Sequence, residues 1–294
     1  LLTDIDNLVI MPDGPLNLLP FEALRLDGRY LIEDFTIKYL PSISVYGQIQ
    51  KPHRNTELGL LAIAGTGFED NDYYFNGGAQ PDFPTLPYAL AEVDSVAKYI
   101  VNKRLLENED VTEAALKQQP LGKFKYLHFA THGDINELSP SQSGLILSKK
   151  INTESLFGED GFLNAREISQ LRLNADMVVL SACDTGTGRV LNGEGVMGLQ
   201  RAFLIAGASS VVSSLWSIYD RSTPTFMGRF YYFLNEREQE EFGLLNSFMR
   251  WANWYEPEII DYKAKALRDT KLAMINHPYY NHPVHWAAFV ITGK

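Results

Sequence analysis

Two reactive side chains each follow a largely apolar segment of the sequence. His132 comes after KYLHFA and Thr131, and Cys183, the single cysteine of the chain, comes directly after MVVLSA. Nearly continuous apolar runs are typical of strands that are buried on both faces of a sheet. In an open parallel sheet, ligands bind beyond the carboxyl ends of the strands. If the predicted strands over Lys125–Ala130 and Asp176–Ala182 are neighbours, the imidazole and the thiol meet at that edge.

An imidazole beside a thiol is sufficient for acyl transfer. A thiolate attacks a carbonyl carbon, and the imidazole sets the thiolate population and protonates the leaving amine. The backbone N–H groups of Gly133 and Cys183 are candidates for the oxyanion hole, because a glycine allows close approach of the backbone. The alternative is a core histidine and a core thiol that never meet, and spacing alone leaves both possibilities open.

Six further segments predict additional strands: Asn7–Met11, Thr36–Leu40, Leu58–Ala64, Gly144–Leu147, Ser209–Leu215 and Trp286–Thr292. Helical segments lie between them and have recognisable ends. Asn164 and Glu167 stand three apart, as N-cap and N3 residues do. Gly207 can end a second helix, and Thr223 opens a third. Strands that alternate with helices indicate an α/β fold with a mainly parallel sheet.

Composition limits the classes of function. The chain has 294 residues and a formal net charge of −10, so direct binding of nucleic acid is not expected. An acidic surface would instead attract a basic protein substrate. No apolar run is long enough to span a bilayer, so no membrane contact is expected. One cysteine cannot form an intramolecular disulfide or a multi-cysteine zinc site, and no metal or other cofactor is predicted.

The expected compartment is the cytoplasm, because the chain has no disulfide framework. The first residues, LLTDIDNLVI, carry no basic region of the kind that opens a signal peptide. The sequence begins with Leu1 rather than methionine, and we interpret it as a fragment of a longer protein.

Three segments are predicted to be surface elaborations. Thr185–Gly195 is rich in glycine but lacks the ending of a phosphate-binding loop, so it is predicted to be a mobile loop that orders when a substrate or an upstream region engages. Phe68–Thr85 is predicted to be a long loop. Asn235–Tyr262 is charged and then aromatic, which fits either an extra helix packed on the body or a docking surface.

Other ionisable residues are predicted to be structural. His277, His282 and His285 have no carboxylate among them, which argues against a metal site. His128 shares a strand face with His132 and is expected to pack there or to support it. Lys263 belongs to a short basic group that is interpreted as solvated surface.

The segment HFATHGD, followed later by VVLSACDTGTG, resembles the CHAT domain. This caspase-like family is related to separase and is often fused to tetratricopeptide repeats. Four further segments are similar to parts of that family: IMPDGPLNLLPFEAL, LPYALAEVDSVAKYI, NGEGVMGLQRAFLIAGASSVVSSLWSIYD and PVHWAAFVITG. The resemblance covers nearly the whole chain and therefore implies one domain over residues 1–294.

The resemblance implies a caspase-like three-layer α/β sandwich, with a mostly parallel sheet and helices on both faces. It makes His132 the catalytic histidine and Cys183 the nucleophile of a cysteine endopeptidase that cleaves a protein partner. It also implies regulation by an attached sensor region, such as upstream tetratricopeptide repeats. Residues 235–262 depart from the short link that is usual in the family and are interpreted as an insertion.

The resemblance also bears on the substrate. Asp220 stands where separase-like relatives place an aspartate that faces a basic P1 side chain, and Asp184 and Glu194 could share this role. Cleavage after Arg or Lys is therefore expected. The alternative is that Asp220 caps a helix over Ser222–Leu234, and the two roles are compatible.

Two other functions use the same sequence features. A catalytically silent, CHAT-like scaffold would bind a partner protein without cutting it. A cysteine-dependent acyltransferase or hydrolase would use the same pair of residues on a small substrate. The presence of both His132 and Cys183 favours an active enzyme over a silent relative.

Overall fold

The computed structural model describes residues 5–49, 57–65, 85–148, 160–181, 183–184, 194–242 and 262–294. Its strands are β1 (Asn7–Ile10), β2 (Arg25–Leu26), β3 (Arg29–Tyr30), β4 (Thr36–Tyr39), β5 (Leu58–Ala64), β6 (Lys103–Glu107), β7 (Phe124–Ala130), β8 (His132–Asp134), β9 (Gly144–Ile146), β10 (Phe162–Asn164), β11 (Met177–Leu180), β12 (Cys183–Asp184), β13 (Ser210–Ser214) and β14 (Phe289–Gly293). Its α-helices are α1 (Leu31–Asp34), α2 (Ile43–Gln48), α3 (Ala89–Ala97), α4 (Glu113–Lys117), α5 (Ala165–Gln170), α6 (Glu194–Ala206), α7 (Thr223–Phe242) and α8 (Tyr262–Ile275).

The central sheet has eight strands in the order β1-β4-β14-β13-β11-β7-β5-β6. Within this described sheet, β13 and β14 are antiparallel and the other neighbouring strands are parallel. A smaller sheet has the order β10-β9-β8-β12, and β2 pairs with β3 in a hairpin. The predicted mainly parallel sheet is therefore confirmed.

Helices cover both faces of the central sheet. Buried side chains of α3, α7 and α8 pack on one face, and those of α5 and α6 pack on the other. Strand β7 shows the division, because Tyr126 and Ala130 belong to the first apolar layer and Leu127 and Phe129 to the second. This burial on both faces explains why the central strands are continuously apolar.

All eight predicted strands are present, with ends that differ by a few residues. The sequence pattern does not reveal β6 or, in the small sheet, the three strands β8, β10 and β12. Lys103 and Arg104 of β6 are exposed because β6 lies at the edge of the sheet, so this strand lacks an apolar pattern. Strands of two or three residues, such as β8 and β12, are too short for periodicity to mark them.

Two predicted helix ends agree with the structure. Asn164 accepts hydrogen bonds from the backbone of Arg166 and Glu167, and Glu167 bonds back to the Asn164 backbone, which is the predicted capping box. Gly207 follows α6 with φ of 113°, and a Cβ there would lie 2.3 Å from the Leu173 carbonyl oxygen. Glycine is therefore required at that position by both conformation and space.

The C-terminal helices bear on two expectations. Helix α7 continues beyond Leu234 to Phe242 and so includes the first residues of the predicted insertion at 235–262. Lys263 is buried and forms an ion pair of 3.0 Å with Asp176, so its interpretation as solvated surface was wrong. Most of the predicted Phe68–Thr85 loop and of the segment 235–262 lies outside the described residues.

Candidate active site

The segments that carry His132 and Cys183 lie side by side. Strands β7 and β11 are parallel neighbours in the central sheet, and β8 and β12 continue this arrangement in the small sheet. In that register Cys183 is opposite His132, and Asp184 is opposite Gly133. Paired strands lie about 4.8 Å apart. The backbone thus brings both predicted positions to the carboxyl edge of the parallel strands.

His132 is held within three strands. It is fully buried, and β8 pairs with β9 on one side and with β12 on the other. The hydroxyl of the preceding residue, Thr131, donates a hydrogen bond to the carbonyl of Ile146 in β9. The side chains of Cys183, Asp184 and Glu194 and the loop 185–193 lie outside the described part of the chain.

The predicted oxyanion residue Gly133 is buried in the middle of β8. It borders a narrow cavity of about 20 Å³ that reaches towards the ends of β11 and β13. Such a cavity holds about one water molecule and no peptide side chain. Donation of the Gly133 and Cys183 N–H groups to an oxyanion remains a prediction.

Asp220 lies in the connection between β13 and α7, beyond the carboxyl end of β13. Its Oδ2 atom accepts a hydrogen bond of 3.1 Å from the backbone N–H of Tyr88, immediately before α3. Partial burial raises the pKa of Asp220 and nearby Glu92 adds to this, whereas the Tyr88 hydrogen bond opposes it. The carboxylate therefore holds the start of α3. Its role in substrate binding remains a prediction.

His128 belongs to a buried polar group beneath the candidate site. Its Nε2 atom lies 2.9 Å from the carboxylate of Glu92 in α3, and its Nδ1 atom lies 3.3 Å from the hydroxyl of Tyr231 in α7. Burial raises the pKa of Tyr231, and the charge of Glu92 raises it further. The predicted supporting position of His128 is consistent with this network, which ties β7 to both helices.

Sequence analysis overlooked Glu92, although a signal was present. Glu92 precedes Val96 by four positions in α3, so the two residues share one face of the helix. Val96 is buried, and a carboxylate on the same face must find a buried partner. The partner, His128, lies on a strand, and no local sequence pattern connects the two.

Residues 2–294 match the CHAT domain family. The chain belongs to that family. Tetratricopeptide repeat protein 28 of Mus musculus is 24% identical over 98% of this chain, and the human protein of the same name is 25% identical over 98% of it. This CHAT domain spans only 12% of the length of each of these relatives.

Solved structures show the same fold. The separase chain of the Saccharomyces cerevisiae separase–securin complex superimposes with a TM-score of 0.51 and 16% identity, covering 94% of this CHAT domain and 15% of that chain. A complex of the Porphyromonas gingivalis RgpB pro- and mature domains gives a TM-score of 0.50 and 13% identity, covering 99% of this domain and 64% of that chain. The predicted caspase-like α/β fold is therefore confirmed.

Within the described residues, no group of three or more His, Cys, Asp or Glu side chains is arranged to hold a metal ion. None of the helices that the structure describes has the length and apolar character needed to cross a bilayer.

Three histidines organise a loop of the CHAT domain beside Asp220. His277 Nδ1 accepts hydrogen bonds of 3.2 Å from the N–H groups of Tyr279 and Tyr280, and His282 Nδ1 accepts one of 3.2 Å from Val284. His285 Nδ1 lies 3.1 Å from the hydroxyl of Ser222, which joins this loop to the Asp220 segment. The predicted structural role of these histidines is consistent with the contacts.

We expect the part of this loop around His285 to loosen in acid. Burial lowers the pKa of His285, and the charge of His282 lowers it further. A folded pKa below the unfolded value stabilises the fold above the unfolded pKa, and this contribution is lost as the pH falls. Amide hydrogen exchange of His285, Trp286 and Ala287, whose N–H groups bond within the loop, measures the change.

The matched control is the variant His285→Asn. The asparagine side chain keeps a hydrogen-bonding group towards Ser222 but does not titrate in this range. The variant should keep its protected amides in acid. Equal loosening in the variant and the parent protein would show that the His285 imidazole is not responsible.

Proposed function

We propose that this CHAT domain is a cysteine endopeptidase that cleaves a protein partner with His132 and Cys183 as its catalytic dyad. The observation that carries the proposal is the backbone register, which sets Cys183 opposite His132 at the carboxyl edge of neighbouring parallel strands. Ligands of such sheets bind at this edge. The caspase-like fold of the domain supports the same reaction class.

The proposed reaction is acyl transfer in two steps. The Cys183 thiol gives its proton to His132, and the thiolate attacks the scissile carbonyl carbon. The N–H groups of Gly133 and Cys183 would stabilise the negative oxygen of the tetrahedral intermediate. His132 then returns the proton to the leaving amine as the C–N bond breaks. Water attacks the remaining thioester, which releases the carboxylic acid and restores the thiol.

The proposed substrate has a basic P1 residue, Arg or Lys. Asp220 lies beyond the end of β13, and the charge of Glu92 adds to the negative potential around it. A guanidinium or ammonium group is the natural partner of such a carboxylate. Asp184 and Glu194 belong to the segments that border the site, and we propose that they assist. The net charge of −10 favours approach of a basic protein.

We further propose that an attached region regulates the domain in its full-length protein, in the cytoplasm. The support is that the named relatives are tetratricopeptide repeat proteins of which this domain spans 12%. Residues 1–294 would act as one peptidase domain with an insertion at 235–262. Of the predicted glycine-rich loop Thr185–Gly195, Glu194 and Gly195 already belong to α6. The remaining residues, 185–193, would order on engagement of that region or of substrate.

Covalent labelling tests the dyad directly. A peptidyl electrophile with arginine at P1 should label Cys183 in the parent protein, and His132→Ala should slow this labelling strongly because the thiolate loses its base. Cys183→Ala identifies the labelled residue. Labelling that proceeds equally fast in His132→Ala contradicts a dyad. Strong labelling without cleavage of any peptide would favour the binding scaffold.

The variant Asp220→Asn tests substrate preference. On peptides that differ only at P1, it should lower kcat/KM for Arg and Lys by about 10- to 100-fold, because a hydrogen bond to a charged group contributes about 1.5–3 kcal/mol. The asparagine oxygen still accepts from the Tyr88 N–H, so the start of α3 is preserved. Peptides with an uncharged P1 residue serve as the control. A parent enzyme that prefers Asp or uncharged residues at P1 rules out the assignment.

A further inference from the structure

The segment that follows the candidate catalytic histidine lies directly on the helix that follows the candidate nucleophile. A Cβ on Gly195 of α6 would lie 2.5 Å from Ile135 Cγ2 and 3.1 Å from the Asn136 carbonyl oxygen. A Cβ on Gly198 would lie 2.7 Å from Pro140 Cβ. Gly195 and Gly198 are three positions apart and share one face of α6. Only residues without side chains allow this close approach.

The segment 135–140 is held in shape by its own hydrogen bonds. Asn136 Oδ1 accepts from the N–H groups of Leu138 at 3.1 Å and Ser139 at 2.8 Å. The Asn136 N–H donates to Ser143 Oγ at 2.9 Å. A turn with this many internal bonds is a firm surface for α6 to pack against.

Glu137 adds an electrostatic contact. Its Oε1 atom lies 3.4 Å from the backbone nitrogen of Gly195, which donates to it in the first turn of α6. A carboxylate is stabilising at this end of a helix because the N–H groups there carry partial positive charge. The contact and the two glycines together form what we term the clamp, made of residues 135–140 on one side and Gly195 and Gly198 on the other.

We infer that Glu137 is a positioning residue that keeps the segment after Cys183 aligned with the segment after His132. Strand β12, which precedes the intervening segment, pairs with His132 and Gly133 of β8. Gly195, which follows that segment, bonds to Glu137. Both ends of the intervening segment are therefore held by residues that follow or include His132. Removal of the second of these contacts lets the nucleophile segment shift relative to the imidazole. This inference rests on the proposed cysteine peptidase function and adds a residue to it.

The test compares Glu137→Ala with Glu137→Gln in the full-length protein. The readouts are kcat, KM and the pH profile of Cys183 alkylation by iodoacetamide, which reports the thiol pKa. Glu137→Ala should lower kcat about 10-fold with little change in KM, because a small misplacement of reacting groups costs up to about 100-fold. Its alkylation pKa should move towards that of an ordinary thiol, about 8.5. Glu137→Gln keeps an acceptor oxygen and should therefore retain most of the parent kcat and an alkylation pKa close to that of the parent.

Two glycine-to-alanine substitutions, one inside the clamp and one outside it, provide the matched control. Gly198→Ala places a methyl group against Pro140 and should lower kcat as Glu137→Ala does. Gly47→Ala is the same change within helix α2, where a Cβ meets nothing within 4 Å, and it should leave kcat unchanged. Both changes gain helix propensity, so the difference between them reports the clamp alone.

The outcomes separate the clamp from the proposed function. If Glu137→Ala keeps the parent kcat and alkylation pKa, or lowers only the melting temperature, the positioning role of Glu137 is disproved, whereas the proposed dyad is unaffected. If the parent protein has the same alkylation pKa as His132→Ala, no dyad exists, and the proposed function fails together with the clamp. A kcat loss in Gly47→Ala equal to that in Gly198→Ala also overturns the clamp.

Discussion

His132→Ala should lower kcat for a basic peptide by about 1,000- to 10,000-fold and leave KM nearly unchanged. In the proposed mechanism the imidazole takes the thiol proton and protonates the leaving amine, and both transfers occur only on the way to the transition state. An interaction made only in the transition state affects kcat rather than ground-state binding. Cys183→Ala should abolish turnover, because it removes the proposed nucleophile.

His128→Asn is the control for loss of a buried histidine from the same segment. It breaks the contacts to Glu92 and Tyr231 and should lower the free energy of unfolding by about 1–3 kcal/mol. Its kcat, measured on folded protein, should stay within a few-fold of the parent value. Initial rates with excess peptide, together with urea unfolding curves, measure both effects. Similar kcat losses in the two variants would mean that His132 acts only through stability.

The sequence predicts best those strands whose residues are buried on both faces of the central sheet. Strand β5 is seven apolar or glycine residues long, and its predicted and observed bounds agree. The sequence predicted the strands β7 and β11 but gave their pairing only as a condition of the dyad hypothesis, and the structure shows that they are neighbours. Strand β6 was not predictable, because an edge strand has one neighbour and Lys103 and Arg104 can remain in water.

Contacts between distant segments limit what sequence analysis can recover at the candidate site. The Asp220 carboxylate bonds to Tyr88, which lies far away in the sequence, whereas the sequence indicated only a substrate-binding role and a cap of the adjacent helix. The glycines of α6 are visible in the sequence, but the segment 135–140 that requires them is not identifiable from spacing. Lys263 was predicted to be exposed for the same reason, because its partner Asp176 can be identified only from the tertiary structure.

Lys271→Met should lower the free energy of unfolding by about 3–5 kcal/mol, because it leaves a buried carboxylate without its counter-charge. Lys271 Nζ lies 2.8 Å from Glu22 Oε1, and the two side chains are 0% and 1% exposed. The hydroxyl of Tyr39 donates to the other Glu22 oxygen at 2.5 Å. Burial lowers the pKa of Lys271, whereas the charge of Glu22 opposes this shift. Urea unfolding with a fixed m-value measures the loss.

An exposed ion pair and a second variant test this explanation. Lys123→Met removes a pair of similar length, 2.9 Å to Glu57, but these side chains are 53% and 69% exposed, so the loss should stay below about 1 kcal/mol. The double variant Lys271→Met/Glu22→Gln removes both charges and should recover most of the stability. A deficit that persists in the double variant would instead assign the loss to packing of the lysine stem.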